Sequence, residues 1–169
     1  MILFCTYSCQ NYAAKGKSIA KAPDGRVIFI SNAIPGDVVD VQTTKKKSAY
    51  YEGFVTKYHQ LSEQRVTPVC SHFGYCGGCK WQDMNYQSQL FYKQKEVENN
   101  LVRLGRIEIP AVMPIIGSDE TYYYRNKMEF SFSDMRWLTP DEIKKADEID
   151  NRNALGFHIA GAWDKILDI

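Results

Sequence analysis

The sequence predicts a β-rich α+β protein, with a small barrel in its first third and then an α/β region that contains one long helix. Three observations lead to this class. Short apolar stretches separated by turn residues recur before residue 60, a helical period follows residue 85, and alternating stretches return near the end. With 44% hydrophobic and 24% charged residues, the 169-residue chain is able to bury a core in one ordinary domain or two small ones.

Two turn signals divide the first third into strands. In Ala22–Gly25, proline presets φ and glycine tolerates positive φ, so a hairpin is expected there. Ile34–Asp37 is a second break of the same kind. The strands predicted around these turns are Lys17–Lys21, Arg26–Ile30, a segment at Val38, Val39 and Val41, and an aromatic-rich strand from Tyr50 to Tyr58.

One long helix is predicted after the linker Leu61–Pro68 and a cysteine-rich segment. Asn85 is a suitable N-cap, and Gly105 is a suitable residue just past the C-terminus. Apolar residues fall near one face at helical spacing. They are Tyr86, Leu90, Val97, Leu101 and Leu104.

The last part of the chain returns to strands. Tyr124–Phe132 alternates apolar with polar residues, which predicts a half-buried strand whose outer face carries Arg125 and Lys127. Thr139–Asn153 is polar and predicts a short helix and a loop. Two further strands, Leu155–Ile159 and Lys165–Ile169, are expected around a turn at residues 160–162.

Charge is distributed unevenly although the formal net charge is only +1. Asn11–Tyr58 contains eight Lys and Arg against four Asp and Glu, whereas His59–Ile169 contains 13 against 16. The first third is therefore the part that attracts a polyanion. No apolar run is long enough to span a bilayer, and the first residues lack the basic region and cleavage site of a signal peptide, so a cytoplasmic location is expected.

Three cysteines lie within ten residues, as Cys70, Cys76 and Cys79, in a C-x5-C-x2-C pattern. The glycines between the last two permit the tight turn that lets two thiolates face one metal. The spacing is compatible with an iron–sulfur cluster, and equally with a zinc site completed by His72. Cys5 and Cys9 are interpreted as bystanders.

Several motifs together resemble the bacterial RNA (uracil-5-)-methyltransferases, and more narrowly the 23S ribosomal RNA branch that holds a 4Fe–4S cluster. The most specific is Arg65–Gln82, which contains Cys-Gly-Gly-Cys, with the start of the helix that follows. The others are Gly16–Ala20, Ile34–Val38, Tyr124–Lys127 and Ala154–His158, so that the resemblance covers nearly the whole chain from about Asn11.

The resemblance implies a TRAM domain, an OB-like five-stranded barrel that binds RNA, at residues 1–60. It implies a cluster-binding α/β region at residues 61–169, with Cys70, Cys76 and Cys79 as three of four ligands. In the family, the fourth ligand follows the strand that here reads Lys165–Ile169. The S-adenosylmethionine domain, the cysteine that adds to the uracil ring and the general base lie further on, so this chain alone is expected to be inactive as a methyltransferase.

Lys45, Lys46 and Lys47, beside Tyr50 and Tyr51, suit a surface that contacts phosphates and stacks bases, although such a run is also typical of a solvated loop. Further RNA-binding candidates are Lys15, Lys17, Lys21 and Arg26 in the first third, and Arg125 and Lys127 later. The expected partner is 23S ribosomal RNA, bound by a monomer without a membrane. The alternative hypothesis is a stand-alone RNA-binding module with a structural zinc site.

Overall fold

The computed structural model describes residues 4–145 and 151–169, which fall into two compact units. The first unit is Met1–Thr67 with Trp81–Asp119, and the second is Pro68–Lys80 with Glu120–Ile169. The predicted domain boundary at residue 60 stays a prediction. No helix among these described residues has both the length and the apolar character needed to cross a membrane.

Most of the strands lie in the first third of the chain. The elements in chain order are β1 (Phe4–Ser8), β2 (Asn11–Ala13), β3 (Lys17–Lys21), β4 (Val27–Ser31), β5 (Val38–Lys46), β6 (Tyr50–Gln60), α1 (Tyr86–Asn99), β7 (Ser131–Ser133), α2 (Pro140–Ile143), β8 (Ala154–Ile159) and β9 (Ala162–Asp168).

Six strands of the first unit form one curled sheet in the order β1-β5-β6-β4-β3-β2. All neighbours are antiparallel except β4 and β6, which are parallel. The predicted class, a strand-rich protein with a barrel-like sheet and one long helix, is confirmed. The sheet has six strands where five were expected. One reason is that Phe4–Ser8, which was not predicted as a strand, pairs with β5.

Strict alternation of burial shapes the sheet, because neighbouring side chains on a strand point to opposite faces. In β3 and β4 the inward residues Ser18, Ala20, Ile28 and Ile30 are all buried. Each large aliphatic side chain buried in this way stabilises the fold by about 1.5–3 kcal/mol. The hydroxyl of Ser18, which is also buried, donates to the carbonyl oxygen of Ala33 at 2.9 Å, so no polar group there lacks a partner.

Both predicted turns of the first third are present. The Ala22–Gly25 turn connects β3 with β4, and Gly25 has φ of +82°. At the second turn Gly36 has φ of +94°, and a Cβ atom on it would lie 2.5 Å from the hydroxyl oxygen of Ser62. Glycine is required here both by the backbone conformation and by the close approach of Ser62.

Asp37, in the second turn, connects the sheet to the segment that was predicted to be a linker. Its carboxylate is fully buried and accepts hydrogen bonds from the backbone N–H of Ile34 at 2.8 Å and of Ser62 at 2.9 Å. It also accepts from Arg65, whose Nη1 reaches Asp83 at 2.9 Å. Through Ser62 and Arg65, the part of this segment that belongs to the first unit is therefore fixed to the sheet and to Asp83, which precedes α1.

Helix α1 begins where it was predicted, since the Asn85 side chain accepts a hydrogen bond from the backbone N–H of Ser88 at 2.9 Å. It continues through a π-helical turn and ends at Gly105. The predicted apolar face is only partly buried, because Leu104 is 79% exposed. The helix is instead anchored by Tyr92, which is buried in a cluster with Ile34 and Met84.

The second unit contains a three-stranded antiparallel sheet in the order β7-β8-β9. The turn between β8 and β9 is confirmed, with Gly161 at φ of +85°. The predicted short helix is α2, which begins with a capping box between Thr139 and Glu142. The part of that prediction that falls on residues 146–150 lies outside the described residues.

The predicted strand Tyr124–Phe132 is wrong for most of its length. Only Ser131–Ser133 pairs with another strand, and no strand is formed at 124–130, within the described part of the chain. The residues assigned to a buried face are exposed, Tyr124 by 67% and Phe132 by 84%. Alternation indicates which residues share a face, but a strand also requires a backbone partner, and this segment has none along 124–130.

Candidate nucleic-acid interface and cysteine cluster

The outer face of the curled sheet collects the side chains that alternate with its core. Phe29 of β4 lies opposite Ile19 of β3 on one side and opposite Glu52 of β6 on the other. Lys21 lies opposite Val27, which in turn lies opposite Tyr50. This face therefore combines aromatic rings with lysines on three adjacent strands.

Two aromatic rings meet in the middle of this face. The centroids of Phe29 and Tyr50 are 5.4 Å apart, and the ring planes are inclined by 78°, which is an edge-to-face contact. Both side chains are partly exposed. Phe54, further along β6, is 37% exposed and lies opposite Ser31.

Lysines surround the Glu52 carboxylate on this face. Lys17 Nζ lies 2.7 Å from Glu52 Oε2. This hydrogen bond lowers the pKa of Glu52 against the opposing effect of burial, and the charges of Lys17, Lys45 and Lys47 lower it further. Glu52 is consequently ionised but neutralised, and the face keeps a positive balance.

The lysine run is part strand and part turn. Lys45 and Lys46 end β5 and lie opposite Glu52 and Tyr51, and all three lysines of the run are exposed. Lys47 lies in the turn, where its backbone N–H donates to the carbonyl oxygen of Tyr50 at 2.9 Å. Among the residues that the structure describes, no acidic side chain forms an ion pair with these three lysines or with Lys21.

Tyr51 and Arg26 face a different environment from Tyr50. The ring of Tyr51 lies in the core and is only 4% exposed, while its hydroxyl group donates to Asp24 at 2.8 Å. The guanidinium group of Arg26 lies over this ring at 4.2 Å and binds both Asp24 and the carbonyl oxygen of Lys47. The hydrogen bonds to Asp24 raise the pKa of Arg26. Because Arg26 and Tyr51 both bind Asp24, their side chains hold the β3–β4 turn in place.

The remaining RNA-binding candidates are spread over both units. Lys15 is exposed in a short 3₁₀ turn with φ of +64° in the first unit. Arg125 and Lys127 are exposed in the second unit, where Lys127 forms an ion pair with Glu129. Their predicted contacts with RNA stay predictions.

Phe29 and Phe54 were not selected from the sequence, although a signal was present. Once Ala22–Gly25 is accepted as a hairpin turn, strand alternation places Phe29 on the same face as Lys21. The parallel pairing of β4 with β6, which brings Tyr50 beside Phe29, has no local sequence signal because it joins strands that are not consecutive.

The three clustered cysteines lie in loops of the second unit. Cys70 and Cys79 are exposed, and Cys76 is partly exposed. The backbone N–H of Gly78 donates to Cys76 Sγ at 3.3 Å, and that of Gly77 donates to the carbonyl oxygen of His158 at 2.9 Å. A Cβ atom at Gly77 would lie 2.8 Å from the same carbonyl oxygen, so the glycine between the cysteines permits the approach to β8.

The donor chemistry of this loop fits a thiolate-bound metal centre in kind, because three accessible thiols are present and none forms a disulfide. Within residues 4–145 and 151–169, however, no three His, Cys, Asp or Glu side chains are arranged to hold a metal ion. His72 Nδ1 lies 3.9 Å from Cys70 Sγ. Metal ligation by Cys70, Cys76 and Cys79 therefore stays a prediction.

Cys9 is a core residue of the first unit rather than a metal ligand. Its side chain is buried among Tyr7, Ala20 and Val39. Burial, together with the nearby charge of Asp37, raises the pKa of the Cys9 thiol to about 12. A metal ligand must be a thiolate, so this thiol is poorly suited to that role. The side chain of Cys5 lies outside the described residues.

Residues 11–56 match the TRAM domain family. These residues include β2 to β5, most of β6, and the whole lysine-bordered outer face described above. The match therefore falls on the part of the chain with the largest excess of basic residues.

The curated relatives carry RNA-modification names. A Bacteroides thetaiotaomicron protein named uncharacterized RNA methyltransferase is 54% identical over 157 residues, which are 93% of this chain and 34% of that protein. One of the same name from Porphyromonas gingivalis is 45% identical over 160 residues, again 93% of this chain and 34% of the relative. The 23S rRNA (uracil(1939)-C(5))-methyltransferase RlmD of Acidovorax sp. is 36% identical over 147 residues, 84% of this chain and 28% of that enzyme. The chain thus spans about a third of the length of these relatives and matches their N-terminal part.

Proposed function

We propose that this chain is the RNA-binding N-terminal part of a 23S ribosomal RNA (uracil-5-)-methyltransferase. The chain is a relative of the bacterial RNA methyltransferases, matches their N-terminal third and carries a TRAM domain. The parent enzyme would transfer a methyl group from S-adenosylmethionine to carbon 5 of a uracil. One observation carries the proposal, namely the lysine-bordered outer face of the TRAM sheet. A cytoplasmic location and a monomeric state belong to the same proposal, and size-exclusion chromatography tests the second.

In this proposal, the lysine-bordered outer face of the sheet binds the RNA and orients it. Cations that neutralise phosphates release counterions and provide affinity without reading sequence. A uracil in folded RNA must leave its stack before its ring is accessible, at a cost of a few kcal/mol. Binding energy gained by the TRAM sheet offsets part of that cost, and the methyl-transfer chemistry belongs to parts of the parent that correspond to no residue of this chain.

The 4Fe–4S cluster is the finer part of the proposal. Cys70, Cys76 and Cys79 would supply three thiolates, and the N–H of Gly78 already donates to the sulfur of Cys76, as donors commonly do to cluster sulfurs. A bound cluster would stabilise this loop and position it for RNA. The alternative is a structural zinc site that adds His72, which the 3.9 Å distance between Cys70 Sγ and His72 Nδ1 favours.

Metal analysis distinguishes the two metals. The protein is isolated without oxygen from cells grown in iron-supplemented medium, and iron, acid-labile sulfide and zinc are quantified. A cluster predicts equal amounts of iron and sulfide that are lost in Cys76→Ala and retained in the matched Cys9→Ala variant. Stoichiometric zinc without sulfide would replace the cluster by the zinc site, and retention of iron in Cys76→Ala would exclude this cysteine as a ligand.

Salt dependence of RNA binding tests the basic face. The triple change of Lys45, Lys46 and Lys47 to Gln is compared with the triple change of Lys95, Arg103 and Arg106 to Gln, which removes the same charge from exposed positions of the helical region. The affinity falls as salt rises, and each lost phosphate contact reduces the magnitude of the negative slope of log K against log salt by about 0.7 for single strands. We expect this magnitude to decrease by about 2 for the first triple variant and to change little for the second.

The affinities are measured by fluorescence anisotropy with a labelled fragment of 23S ribosomal RNA at several salt concentrations. If the unmodified chain fails to bind RNA, the proposed function is wrong. Equal slopes for the two triple variants would mean that the affinity comes from general charge rather than from this face.

A further inference from the structure

We propose that the Phe29–Tyr50 pair is a stacking platform for an unpaired base of single-stranded RNA. The inference rests on the proposed RNA-binding function and deepens it, because it names the class of RNA and the residues that read it. The sequence predicted Tyr50 and Tyr51 as the residues that stack bases. Because Tyr51 lies in the core, Phe29 takes its place as the aromatic partner of Tyr50.

The position of the two rings is the first support. A solvent-facing strand surface is usually polar, yet Phe29 and Tyr50 occupy outward positions on two adjacent central strands. The core does not require them there, since the inward residues Ile28, Ile30 and Tyr51 already fill it. Partly exposed aromatic rings on a central, outward-facing position are typical of a binding surface.

The contact between the rings is the second support. In the edge-to-face arrangement, with centroids 5.4 Å apart, each ring restricts rotation of the other, and the contact covers only one face of one ring. An ordered ring loses little conformational entropy when a base stacks on it. The pair is therefore organised before RNA arrives.

The charges around the rings are the third support and identify the occupant. Lys45 lies opposite Glu52, which lies opposite Phe29, so Lys45 is two strand spacings, roughly 10 Å, from Phe29 across the sheet. Lys21 borders the other side, opposite Val27. A base stacked on Phe29 would have cations on both sides for its phosphates, and Lys17 neutralises Glu52, the carboxylate that lies opposite Phe29.

Stacking restricts the platform to unpaired bases. A base inside a duplex is already stacked on its neighbours and presents no free face to a side chain. Every base has a π face, so this surface selects single-stranded RNA over duplex RNA without selecting its sequence.

The test compares Phe29→Leu with Phe91→Leu in the full chain. Phe91 is the matched control, because it is an exposed aromatic residue of α1 with a lysine, Lys95, over its ring at 5.0 Å. Leucine preserves apolar bulk and removes the π face. Binding to a labelled 12-nucleotide oligouridine and to an RNA duplex of equal length is measured by fluorescence anisotropy.

The platform predicts that Phe29→Leu weakens oligouridine binding by a factor between about 5 and 150, the range that loss of one base–aromatic stack produces. Phe91→Leu should bind as the unmodified chain does. Duplex binding and the salt slope should be unchanged in both variants, because neither removes a charge. Phe29→Tyr, which keeps the ring, should retain oligouridine binding and remains informative if Phe29→Leu fails to fold.

The outcomes separate the two proposals. If the unmodified chain binds oligouridine with a lysine-dependent salt slope but Phe29→Leu equals Phe91→Leu, the platform is overturned while the proposed function stands. A Phe29→Tyr variant that folds but loses binding overturns it as well. If no RNA is bound by the unmodified chain, the proposed function fails and the platform with it.

Discussion

The two units of the chain differ in how they use their apolar residues. The first unit wraps six strands around a core in which Ile28, Ile30 and Val39 are fully buried. The second unit has a three-stranded sheet with few buried side chains, and it leaves Phe132 and Trp163 largely exposed. The units also differ in their thiols, since Cys9 is buried whereas Cys70 and Cys79 are exposed.

The difference indicates that the first unit contributes most of the stability, and that the exposed apolar side chains of the second unit depend on a partner that covers them. A core such as that of the first unit provides its own driving force for folding. Exposed aromatic side chains gain nothing from the fold until a partner covers them.

The buried ion pair of the first unit should have the largest effect. Asp37→Ala leaves the guanidinium group of Arg65 with Asp83 and the carbonyl oxygen of Asn32, and it removes the acceptor for two backbone N–H groups. Burial by itself lowers the pKa of Arg65, but the hydrogen bonds and charge of Asp37 outweigh this and raise it. We expect a loss of about 3–5 kcal/mol in the free energy of unfolding, measured by urea titration with circular dichroism.

The control is Glu129→Ala in the second unit. Glu129 forms an ion pair with Lys127, and both side chains are 81% exposed, so we expect no measurable change. Similar losses for Asp37→Ala and Glu129→Ala would contradict the contrast between a buried and a solvated pair.

Apolar truncations compare the two sheets directly. Ile28→Ala removes a fully buried side chain from the first unit and should cost about 2–5 kcal/mol, because the surrounding residues cannot close the cavity. Phe132→Ala removes a larger but exposed side chain from the second unit and should change stability by less than about 0.5 kcal/mol. Thermal unfolding of both variants measures these losses of stability. A large loss for Phe132→Ala would contradict the prediction, because it would mean that the Phe132 side chain is packed against a partner.

The buried thiol of Cys9 makes the stability of the first unit depend on pH. The pKa of Cys9 is about 12 in the folded chain against 9.0 for an ordinary thiol. Below pH 9 the thiol is protonated in both states and its stabilising contribution is complete. Above pH 9 the unfolded thiol ionises while the folded one keeps its proton, so stability falls by about 1.4 kcal/mol per pH unit until about pH 12.

Cys9→Ala isolates this contribution, because the tyrosines that titrate in the same range remain in both proteins. Between pH 8.5 and 10.5 the unfolding free energy of the variant should fall less steeply than that of the unmodified chain. At pH 8, iodoacetamide should label Cys70 and Cys79 of the metal-free protein and spare Cys9, as peptide mass spectrometry would show. Parallel pH curves, or rapid labelling of Cys9, would mean that the first unit opens locally.

Much of the fold was predictable wherever a local signal was decisive. The Ala22–Gly25 hairpin, the turn at Gly36, the N-cap at Asn85 and the turn at Gly161 are all confirmed, because each depends on a few adjacent residues. The strand predicted at Tyr124–Phe132 failed because pairing is a long-range property that alternation does not contain. For the same reason, the predicted face of α1 was only partly correct, and its buried contact is through Tyr92.

The candidate site shows the same division. The excess of lysine in the first third and the spacing of Cys70, Cys76 and Cys79 are visible in the sequence alone. The different positions of Tyr50 and Tyr51 follow from alternation, but which of them faces the core depends on the register of β6 against β4. The role of Arg65 was also hidden, since its partner Asp37 lies 28 residues earlier.

The strand-rich class, the turns, the limits of the long helix and the concentration of positive charge can be read from the amino acids alone, because propensity, capping and composition act over a few residues. The three-dimensional fold was needed to show that Phe29 lies beside Tyr50, that Tyr51 and Cys9 are buried and that Asp37 binds Arg65. Each of these contacts joins residues that are distant in the chain, and the curl of the sheet, which no local signal encodes, brings them together.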